Sequence, residues 1–284
     1  LTTQKLRVAT EVRKSHFALK GKQDSDTDEL HRRLVELEDY VNNRIAILIK
    51  AHPAYPWFSR VKGVGEENIA KVVGLIDIER ADTISALWKF SGRAPENGKA
   101  PKKEKGKKLS YNSQLRSMTW RLGVSLLKAG LRQKCYKCGH LFGSEHDACP
   151  KCLSAEFGQV TISNFATYYI KQKETEHQKA LANGIKIIPT PKGRVCPDCA
   201  IEVKASATNY CPDCGTRLMR KVEPEGILFE GHVHNRALAK TVKLFLACLW
   251  LTWREAVKLS VTKPYSVDIL GHNNFISPWE MVDR

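Results

Sequence analysis

Apolar residues recur at helical spacing along most of this chain. Residues 1–20 mix apolar and basic side chains and predict a helix. A polar segment at Asp24 follows, and Ser25 or Thr27 is the expected N-cap of a second helix. The apolar positions of that helix alternate at spacings of three and four residues, interrupted once at Arg44, which predicts a coiled-coil seam formed by Leu30, Leu34, Leu37, Val41 and Leu48. An intramolecular helical hairpin and a homodimer explain this seam equally well.

Six further helices are predicted downstream. Two flank a turn within residues 61–71, and four more lie at about 83–90, 112–130, 163–183 and 234–258. The buried face of the last helix is expected to carry Leu238, Val242, Phe245, Leu249, Trp250 and Trp253. No strand-rich region of useful size is apparent outside the cysteine-rich segments. The predicted fold class is therefore all-α.

The turn within residues 61–71 contains Gly63 and Gly65, one residue apart. Glycine adopts backbone angles closed to other residues, so this turn can be tight. It also leaves amide N–H groups bare at the start of the next helix, where a phosphate can sit. This is the helix-hairpin-helix way of gripping a nucleic-acid backbone, with Lys62 and Lys71 beside the turn. A plain helix–helix turn is the alternative, because Gly-x-Gly alone is a weak motif.

The overall charge favours a polyanionic partner. The 284 residues include 46 Lys and Arg against 30 Asp and Glu, which gives a net charge of +16. No apolar run reaches membrane-spanning length, and the N-terminus lacks the apolar core of a signal peptide. We therefore expect a cytoplasmic protein with no membrane partner. The chain starts at Leu1 rather than Met, which leaves room for an upstream segment.

The densest positive charge lies in one predicted loop. Within residues 99–108, a single glutamate stands against six lysines, which are Lys99, Lys102, Lys103, Lys105, Lys107 and Lys108. Arg93 precedes this loop and Arg116 follows it. A lysine run is often only a solvated loop. Beside a phosphate-gripping turn, in so basic a chain, we expect these side chains to contact nucleic acid.

Eight of the nine cysteines fall in Cys-x-x-Cys pairs that form two sets. Ten residues separate the pairs of the first set and eleven those of the second, and the members are Cys135, Cys138, Cys149 and Cys152, then Cys196, Cys199, Cys211 and Cys214. Two such pairs close a tetrahedral four-thiolate site, the geometry of structural zinc. Disulfides are the alternative, which a reducing cytoplasm disfavours. We predict two structural zinc ions with no open position for catalysis, and a buried, apolar role for Cys248.

The order of several motifs resembles a known family. Val-Lys-Gly-Val-Gly is followed by Ala-Leu-Trp-Lys-Phe-Ser-Gly-Arg-Ala-Pro, the basic loop, Tyr-Asn-Ser-Gln-Leu-Arg, Tyr-Tyr-Ile-Lys-Gln-Lys and Gly-His-Val-His-Asn-Arg-Ala. This order resembles the C-terminal, Nop-like domain of the bridge-RNA-guided insertion-sequence transposases. It is also similar to the Nop-domain Tas proteins of tandem interspaced guide RNA systems. The resemblance covers residue 28 to the end apart from the cysteine modules, and implies a helical domain that holds a guide RNA.

Two departures limit what this resemblance implies. The family transposases have an N-terminal RNase-H-like domain with acidic metal ligands, whereas only the helical segment up to Lys50 precedes the hairpin region here. The family also has a nucleophilic serine a few residues beyond the proline that matches Pro95. Asn97 stands in that stretch instead, and the nearby serines show no activating base. The prediction leans against enzymatic activity, and no catalytic residue is assigned.

The expected organisation combines a helical coiled-coil hairpin and a helix-hairpin-helix, Nop-like domain with two inserted four-cysteine zinc ribbons. Six segments are expected along the chain: a helical coiled-coil segment (1–52), a helix-hairpin-helix nucleic-acid-binding domain (53–134), zinc ribbon 1 (135–160), a helix and connector (161–195), zinc ribbon 2 (196–222) and the C-terminal helical part of the Nop-like domain (223–284).

Histidines near the C-terminus present a separate choice. His232, His234 and the later His272–Asn273 pair could indicate an HNH-type nuclease, which couples a histidine base to a metal. Against this, the two groups lie in different segments, and His234 opens a helix whose next turns are apolar. Helix capping and core hydrogen bonding explain His234 better. Contact of His234 and Arg236 with RNA is the remaining interpretation.

Three hypotheses follow for the whole chain. The first is a binding protein that holds a guide RNA and presents it to DNA without a nuclease activity of its own, with a homodimer as the expected assembly. The second is a DNA transposase or recombinase whose RNase-H-like catalytic domain lies upstream or on a partner. The third is a zinc-held scaffold without nucleic acid, which the positive charge argues against.

Overall fold

The computed structural model of the protein describes residues 2–96, 98, 100–104, 106–204, 209–262 and 275–284. This part of the chain is rich in helix and forms two compact units. Unit 1 comprises Leu1–Phe165 and Val242–Arg284, and unit 2 comprises Ala166–Thr241. The predicted helical character is confirmed in this broad sense.

The N-terminal part of unit 1 is a hairpin of two antiparallel helices, α1 (Thr2–Leu19) and α2 (Ser25–Leu48). Ion pairs join the two helices, from Arg7 to Glu38 at 2.5 Å and from Lys14 to Asp28 at 2.9 Å. The predicted seam therefore belongs to a helix with an intramolecular partner, one of the two alternatives left open by the sequence.

Capping of α2 differs from the prediction. Asp24, rather than Ser25 or Thr27, occupies the N-cap position, with an extended backbone at φ −130°. The hydroxyl of Thr27 donates a hydrogen bond to the Asp24 carboxylate, so Thr27 lies inside the first turn. Ser25 is already the first helical residue, because Asp24 is the last residue whose backbone is extended.

The apolar residues of this hairpin are only partly buried. Thr10 in α1 and Thr27 in α2 are buried. Leu30, Leu37 and Leu48 of the predicted seam are 47%, 48% and 61% exposed. The seam is thus only partly covered by α1, and an apolar stripe remains on the outside of the hairpin.

The core of unit 1 is formed by short helices packed around the end of a long one. These are α3 (Tyr55–Phe58), α4 (Glu66–Val73), α5 (Ile84–Phe90), α6 (Ser113–Gly130) and the later turns of α8 (Glu230–Ala256). The rings of Trp57 and Phe245 lie 5.3 Å apart, and the Trp57 indole donates a hydrogen bond of 2.8 Å to the Pro278 carbonyl. A 3₁₀ turn, Pro278–Met281, completes this core.

Helix α8 begins at Glu230, four residues before the predicted start. The amide of Gly231 donates a hydrogen bond to the Thr190 hydroxyl, which provides an acceptor for the first helical turn. Most of the predicted apolar face is buried as expected: Leu238, Val242, Phe245, Leu249 and Trp250.

Asn112 links the two ends of the lysine-rich loop. Asn112 is the N-cap of α6, and its side-chain oxygen accepts a hydrogen bond from the Leu115 amide at 3.0 Å. The backbone amide of Asn112 donates to the carbonyl of Phe90, the last residue of α5, at 2.8 Å. The end of α5 and the start of α6 are therefore adjacent, and the loop begins and ends at neighbouring positions.

The strands are short. In unit 1, β1 (Leu131–Cys135), β2 (Leu141–Phe142) and β3 (Phe157–Thr161) form an antiparallel sheet of order β2-β1-β3, and β1 follows α6 without a break. In unit 2, which also contains the remainder of α7 (Asn164–Ala182), β5 (Gly193–Val195) is flanked by β6 (Glu202–Lys204) and β7 (Met219–Arg220).

A second pairing in unit 2 lies outside the cysteine modules and was not predicted. The strands β4 (Lys186–Ile188) and β8 (Ile227–Phe229) pair in parallel. They bracket the second cysteine module and pack with Ala180 and Val233 in a small apolar cluster. The fold is rich in helix, but its strands are not confined to the cysteine modules.

Candidate metal centres and nucleic-acid surface

All four Cys-x-x-Cys segments fold into the same turn. In the first, the amide of Gly139 donates to the Cys135 carbonyl at 2.9 Å, and the Cys135 amide donates to the His140 carbonyl at 3.0 Å. The other three repeat this pattern. The residue after each second cysteine has positive φ, and these residues are Gly139, Leu153, Ala200 and Gly215. Glycine tolerates this conformation readily, so the leucine and alanine are held there by the turn itself.

The first cysteine set converges in unit 1. The Sγ atoms of Cys135 and Cys152 are 3.5 Å apart, and those of Cys138 and Cys149 are 3.6 Å apart. The strand β1 positions Cys135, and Phe142 and Phe157 pack beside the buried sulfurs. Tetrahedral zinc with Zn–S bonds of about 2.3 Å requires sulfurs separated by about 3.8 Å, close to these distances.

The second set converges in the same way in unit 2. Cys199 lies centrally, with its Sγ at 3.2 Å from that of Cys196, 3.6 Å from Cys211 and 3.3 Å from Cys214. Leu218 and Val203 pack against Cys196 and Cys211. In both sets the four sulfurs lie within 4.8 Å of one another. Both groups are positioned to hold a metal ion, and four thiols suit zinc.

The protonation of the sulfurs fits this role. The amide of Cys138 is the largest influence that lowers the pKa of Cys135, to about 7. Hydrogen bonds from the Thr216 side chain and amide lower the pKa of Cys214 to about 6. The sulfurs of Cys196, Cys214 and Cys211 instead raise the pKa of Cys199. Four thiolates this close repel one another, and a divalent metal removes that repulsion.

The Gly-x-Gly turn is packed tightly on one side. Gly63 has φ +90°, and a Cβ there would lie 2.8 Å from the Leu126 Cα and 2.8 Å from the Ser125 carbonyl oxygen. The Ser125 hydroxyl donates to the Gly63 carbonyl at 2.8 Å. Gly65 is the N-cap of α4, and a Cβ there would meet nothing within 4 Å. Gly63 therefore allows close approach of the turn to α6, while Gly65 is open.

Part of this turn already has partners within the chain. The Lys62 amide donates to the Asp283 carboxylate at 2.7 Å, and the other oxygen of Asp283 accepts from the Asn164 amide at 2.8 Å. The Lys62 ammonium donates to the Ile162 carbonyl at 3.1 Å. The Lys62 amide, which was expected to be open to a phosphate, thus already donates to a carboxylate of the same chain. Glu66 and Glu67 add negative charge to the first turn of α4.

Three other predicted contact residues also have internal partners. Lys71 forms an ion pair with Glu67 and a hydrogen bond with the Gln4 side chain, which joins α4 to α1. The Nδ1 atom of His234 lies 2.6 Å from the Tyr169 hydroxyl. Arg236 lies 3.5 Å from Glu176, which also pairs with Lys240 at 2.5 Å. These contacts agree with a structural role for each side chain.

The lysine-rich loop is different. Lys102, Lys103, Lys107 and Lys108 are all exposed. Lys107 pairs with Glu104 at 2.6 Å, and the part of the chain that the structure describes contains no ion pair for the other three. Lys99, Lys105, Asn97 and the His272–Asn273 pair lie outside the described residues.

Arg93 and Arg116 stand together at the base of this loop. One nitrogen of Arg93 donates to the Arg116 carbonyl at 2.9 Å and to the Thr119 hydroxyl at 3.0 Å. Arg116 donates to the Pro101 carbonyl at 2.6 Å, which anchors the loop to α6. Burial, and then the charge of Arg116, lower the pKa of Arg93 to about 10. Neither guanidinium has a carboxylate partner among the described residues.

The aromatic rings beside the two arginines and the carboxylate beside Lys62 were not predicted from the sequence. Trp120 and Tyr111 stack with Arg93 and Arg116, at 5.6 Å and 4.9 Å from the guanidinium carbon to the ring centre. Arg116 and Trp120 lie four residues apart on one helix face, yet Trp120 stacks with Arg93 rather than with Arg116, so helical spacing did not indicate the observed pairs. Nothing near Asp283 indicated its contact with Lys62, because the two residues are 221 positions apart.

Comparison of the chain with family models, with curated proteins and with solved structures gives no match. Within the described ranges, no helix combines the length and the apolar character that a membrane crossing requires. The two cysteine centres and the positive surface of unit 1 are therefore the features that bear on function.

Proposed function

We propose that this chain is a zinc-stabilised nucleic-acid-binding protein, related to transposases, that holds a guide RNA and directs it to DNA without a nuclease activity of its own. The observation that carries this proposal is the concentration of exposed lysines on a loop whose base contains two arginines that have no carboxylate partner among the described residues. A surface of this kind neutralises phosphates. It needs no base contacts, since a guide reads its target by base pairing.

The remainder of the proposal combines charge with motif order. A net charge of +16 favours a polyanion. The resemblance to the Nop-like domain of bridge-RNA-guided transposases and to Tas proteins supports a guide RNA as the main ligand. The two cysteine sets would each hold a structural zinc ion, and their thiols suit a reducing, cytoplasmic location.

A homodimer is part of this proposal. The outer stripe of α2 exposes Leu30, Leu37 and Leu48, and α1 adds Leu6 and Val12 to the exposed apolar residues of the hairpin. Apolar stripes on long helices are commonly covered by a second helix pair. The stripe on α2 would pack against the same stripe of a second copy.

The second candidate is a transposase or recombinase whose RNase-H-like catalytic domain lies upstream or on a partner. The specific observation in its favour is that the motif order, rather than any single motif, follows the transposase domain. In that case the same lysine and arginine surface would bind nucleic acid, and catalysis would be supplied by the other domain. DNA transposition by a longer reading frame would favour this candidate.

The test is to purify the protein expressed with its flanking locus and to sequence the nucleic acid that stays bound. We expect a discrete small RNA encoded near the gene. As a matched control, the variant in which Lys102, Lys103, Lys107 and Lys108 are all alanine should retain less of it. Recovery of no nucleic acid with the parent protein would contradict the proposal, and random DNA fragments alone would contradict the guide.

A further inference from the structure

The arginines at the base of the lysine loop have an unusual electrostatic environment. Segment 90–116 contains two acidic residues, Glu96 and Glu104. Glu96 accepts a hydrogen bond from the Ser110 hydroxyl at 3.1 Å, and Glu104 pairs with Lys107. Neither carboxylate forms an ion pair with Arg93 or Arg116. Two positive charges therefore stand next to each other without a neutralising partner from the described part of their own segment.

Most of the hydrogen-bonding capacity of these two side chains is also unused. A guanidinium has five N–H donors. Within the described residues, Arg93 uses one nitrogen for its bonds to Arg116 and Thr119, and Arg116 uses one nitrogen for its bond to Pro101. The Nε atom of Arg93 is buried and has no acceptor. Buried charged groups are normally paired, so this arrangement is costly without an anion.

Arg254 provides an internal comparison. It is 3% exposed, and its guanidinium donates to the carbonyls of Ile78, Ala81 and Ser260 at 2.7 Å, 3.1 Å and 2.8 Å. The fold thus satisfies an arginine that has a purely structural role by surrounding it with carbonyl oxygens. Arg93 and Arg116 have fewer such acceptors, although Arg93 is half-buried.

Aromatic rings hold the two guanidiniums in place. Arg93 lies over Trp120, and Arg116 lies over Tyr111. Gly92 makes room for this packing, since a Cβ there would lie 2.7 Å from the Tyr111 ring and 3.1 Å from the Arg116 Cδ. Among the described residues, Arg116 uses only Nη1, so its Nε and Nη2 form a free edge of the kind that binds phosphate through two parallel hydrogen bonds. Arg93 can add a single donor, Nη1, because its Nη2 is already bonded and its Nε is buried.

We propose that Arg93 and Arg116 form a binding site for one phosphate group, which a phosphodiester of the bound nucleic acid fills. This inference rests on the proposed function for the source of the phosphate. The exposed lysines act as mobile point charges that attract the polymer. The two arginines then fix one phosphate at the base of the loop, where Arg116 ties Pro101 to α6. This contact fixes the position of the bound nucleic acid at the base of the loop.

The first measurement uses the unaltered protein, so it does not depend on whether a variant folds. The Nε–Hε resonances of the arginines are followed by ¹H–¹⁵N NMR while inorganic phosphate is added. We expect the resonances of Arg93 and Arg116 to shift with saturation. The resonance of Arg121, which is exposed on the same helix, serves as the control and should stay in place. Unchanged Arg93 and Arg116 resonances would overturn the site.

The second measurement separates geometry from charge. Arg116→Lys keeps the positive charge but removes the planar fork, and Arg121→Lys is the matched control. We expect Arg116→Lys to weaken binding of a single-stranded RNA oligonucleotide about tenfold, with an unchanged salt dependence. Binding equal to that of the parent protein would overturn the assignment of a forked phosphate contact.

The two measurements distinguish this site from the function on which it rests. If the parent protein binds no nucleic acid but phosphate still shifts the Arg93 and Arg116 resonances, the site is supported and the proposed function fails. If the parent protein binds RNA while phosphate shifts neither resonance and Arg116→Lys has no effect, the proposed function is supported and the site is overturned.

Discussion

At the scale of single residues, the two glycines of the Gly-x-Gly turn have different roles. Gly63 has positive φ and touches the backbone of α6, so a Cβ at this position would lie 2.8 Å from backbone atoms that cannot move aside easily. Gly65 has an ordinary φ of −83° and open space around its α-carbon. The motif therefore combines one glycine needed for packing with one that is accessible.

This difference predicts unequal costs of substitution. Gly63→Ala should lower the free energy of unfolding by about 2–4 kcal/mol, because it combines a left-handed backbone with a steric overlap. Gly65→Ala is the matched control and should cost less than about 1 kcal/mol. Urea denaturation followed by circular dichroism measures both. Equal losses would show that the approach of the turn to α6 does not require glycine.

The sequence alone indicates the chemistry that a residue can perform more readily than it indicates which residue it contacts. The eight clustered cysteines were assigned correctly to two groups because the spacing within each knuckle is local. The contact of Lys62 with Asp283 and that of Lys71 with Gln4 could not be foreseen, because these partners come from distant parts of the chain. The ion pair of Lys71 with Glu67 is local, since the two residues are four positions apart on one helix. A basic side chain near a turn is equally suited to a phosphate and to a carboxylate of its own chain.

At the scale of elements, each cysteine module has its own small apolar cluster. Cys135, Phe142 and Cys149 form one, and Cys196, Cys211 and Leu218 form the other. Neither cluster includes the large side chains that fill the helical core. The modules are therefore expected to depend on zinc more strongly than the helices do.

Removal of the metal tests this independence. A strong chelator should release two zinc ions per chain while most of the helical circular dichroism signal is retained, since the two cysteine groups found among the described residues lie outside the helices. Loss of the entire helical signal would contradict this expectation. Cys138→Ser should lower the zinc content to one ion per chain, measured by elemental analysis. Cys248→Ser, which alters the buried cysteine of α8, should leave two ions.

The helical hairpin offers a second test at this scale. If the outer stripe of α2 is the homodimer interface, replacing both Leu30 and Leu37 with lysine should convert the protein to a monomer, as measured by light scattering. Lysine introduces unpaired charge into an apolar contact. Arg33→Lys on the same helix preserves the charge and is the control. A dimer that survives the double substitution would place the interface elsewhere.

Local pattern explains which elements were foreseen. Helix α6 has a polar cap and a regular apolar face, and its predicted bounds differ from the observed Ser113–Gly130 by one residue at the start. The parallel pairing of β4 with β8 was missed, because each strand has three residues and its partner lies across the whole second cysteine module. Pairing over such separations leaves little trace in a short window of sequence.

At the scale of the whole molecule, the proposed nucleic-acid binding predicts a salt dependence that reports the number of phosphates neutralised by the loop. Alanine at Lys102, Lys103, Lys107 and Lys108 should weaken binding similarly for all sequences. It should also reduce the slope of log K against log salt by about three for a single strand, since each neutralised phosphate contributes about 0.7. Fluorescence anisotropy at several salt concentrations measures this slope.

A matched control separates local from overall charge in that experiment. Alanine at Lys5, Arg13, Lys20 and Lys22 removes the same number of charges from exposed positions on or beside α1. This control should leave the slope almost unchanged, because contacts rather than net charge determine counterion release. Equal reductions by both variants would mean that the loop is no more than one part of a diffuse positive surface.

The division of unit 1 into two chain segments has a consequence for synthesis. Trp57 and Lys62 find their partners in Pro278 and Asp283, which are translated 221 codons later in each case. The continuous unit 2, residues 166–241, leaves the ribosome before the turns of α8 that complete the core of unit 1. We therefore expect the early helices of unit 1 to keep part of their apolar surface uncovered until synthesis is complete, which is the condition under which folding intermediates aggregate or bind chaperones.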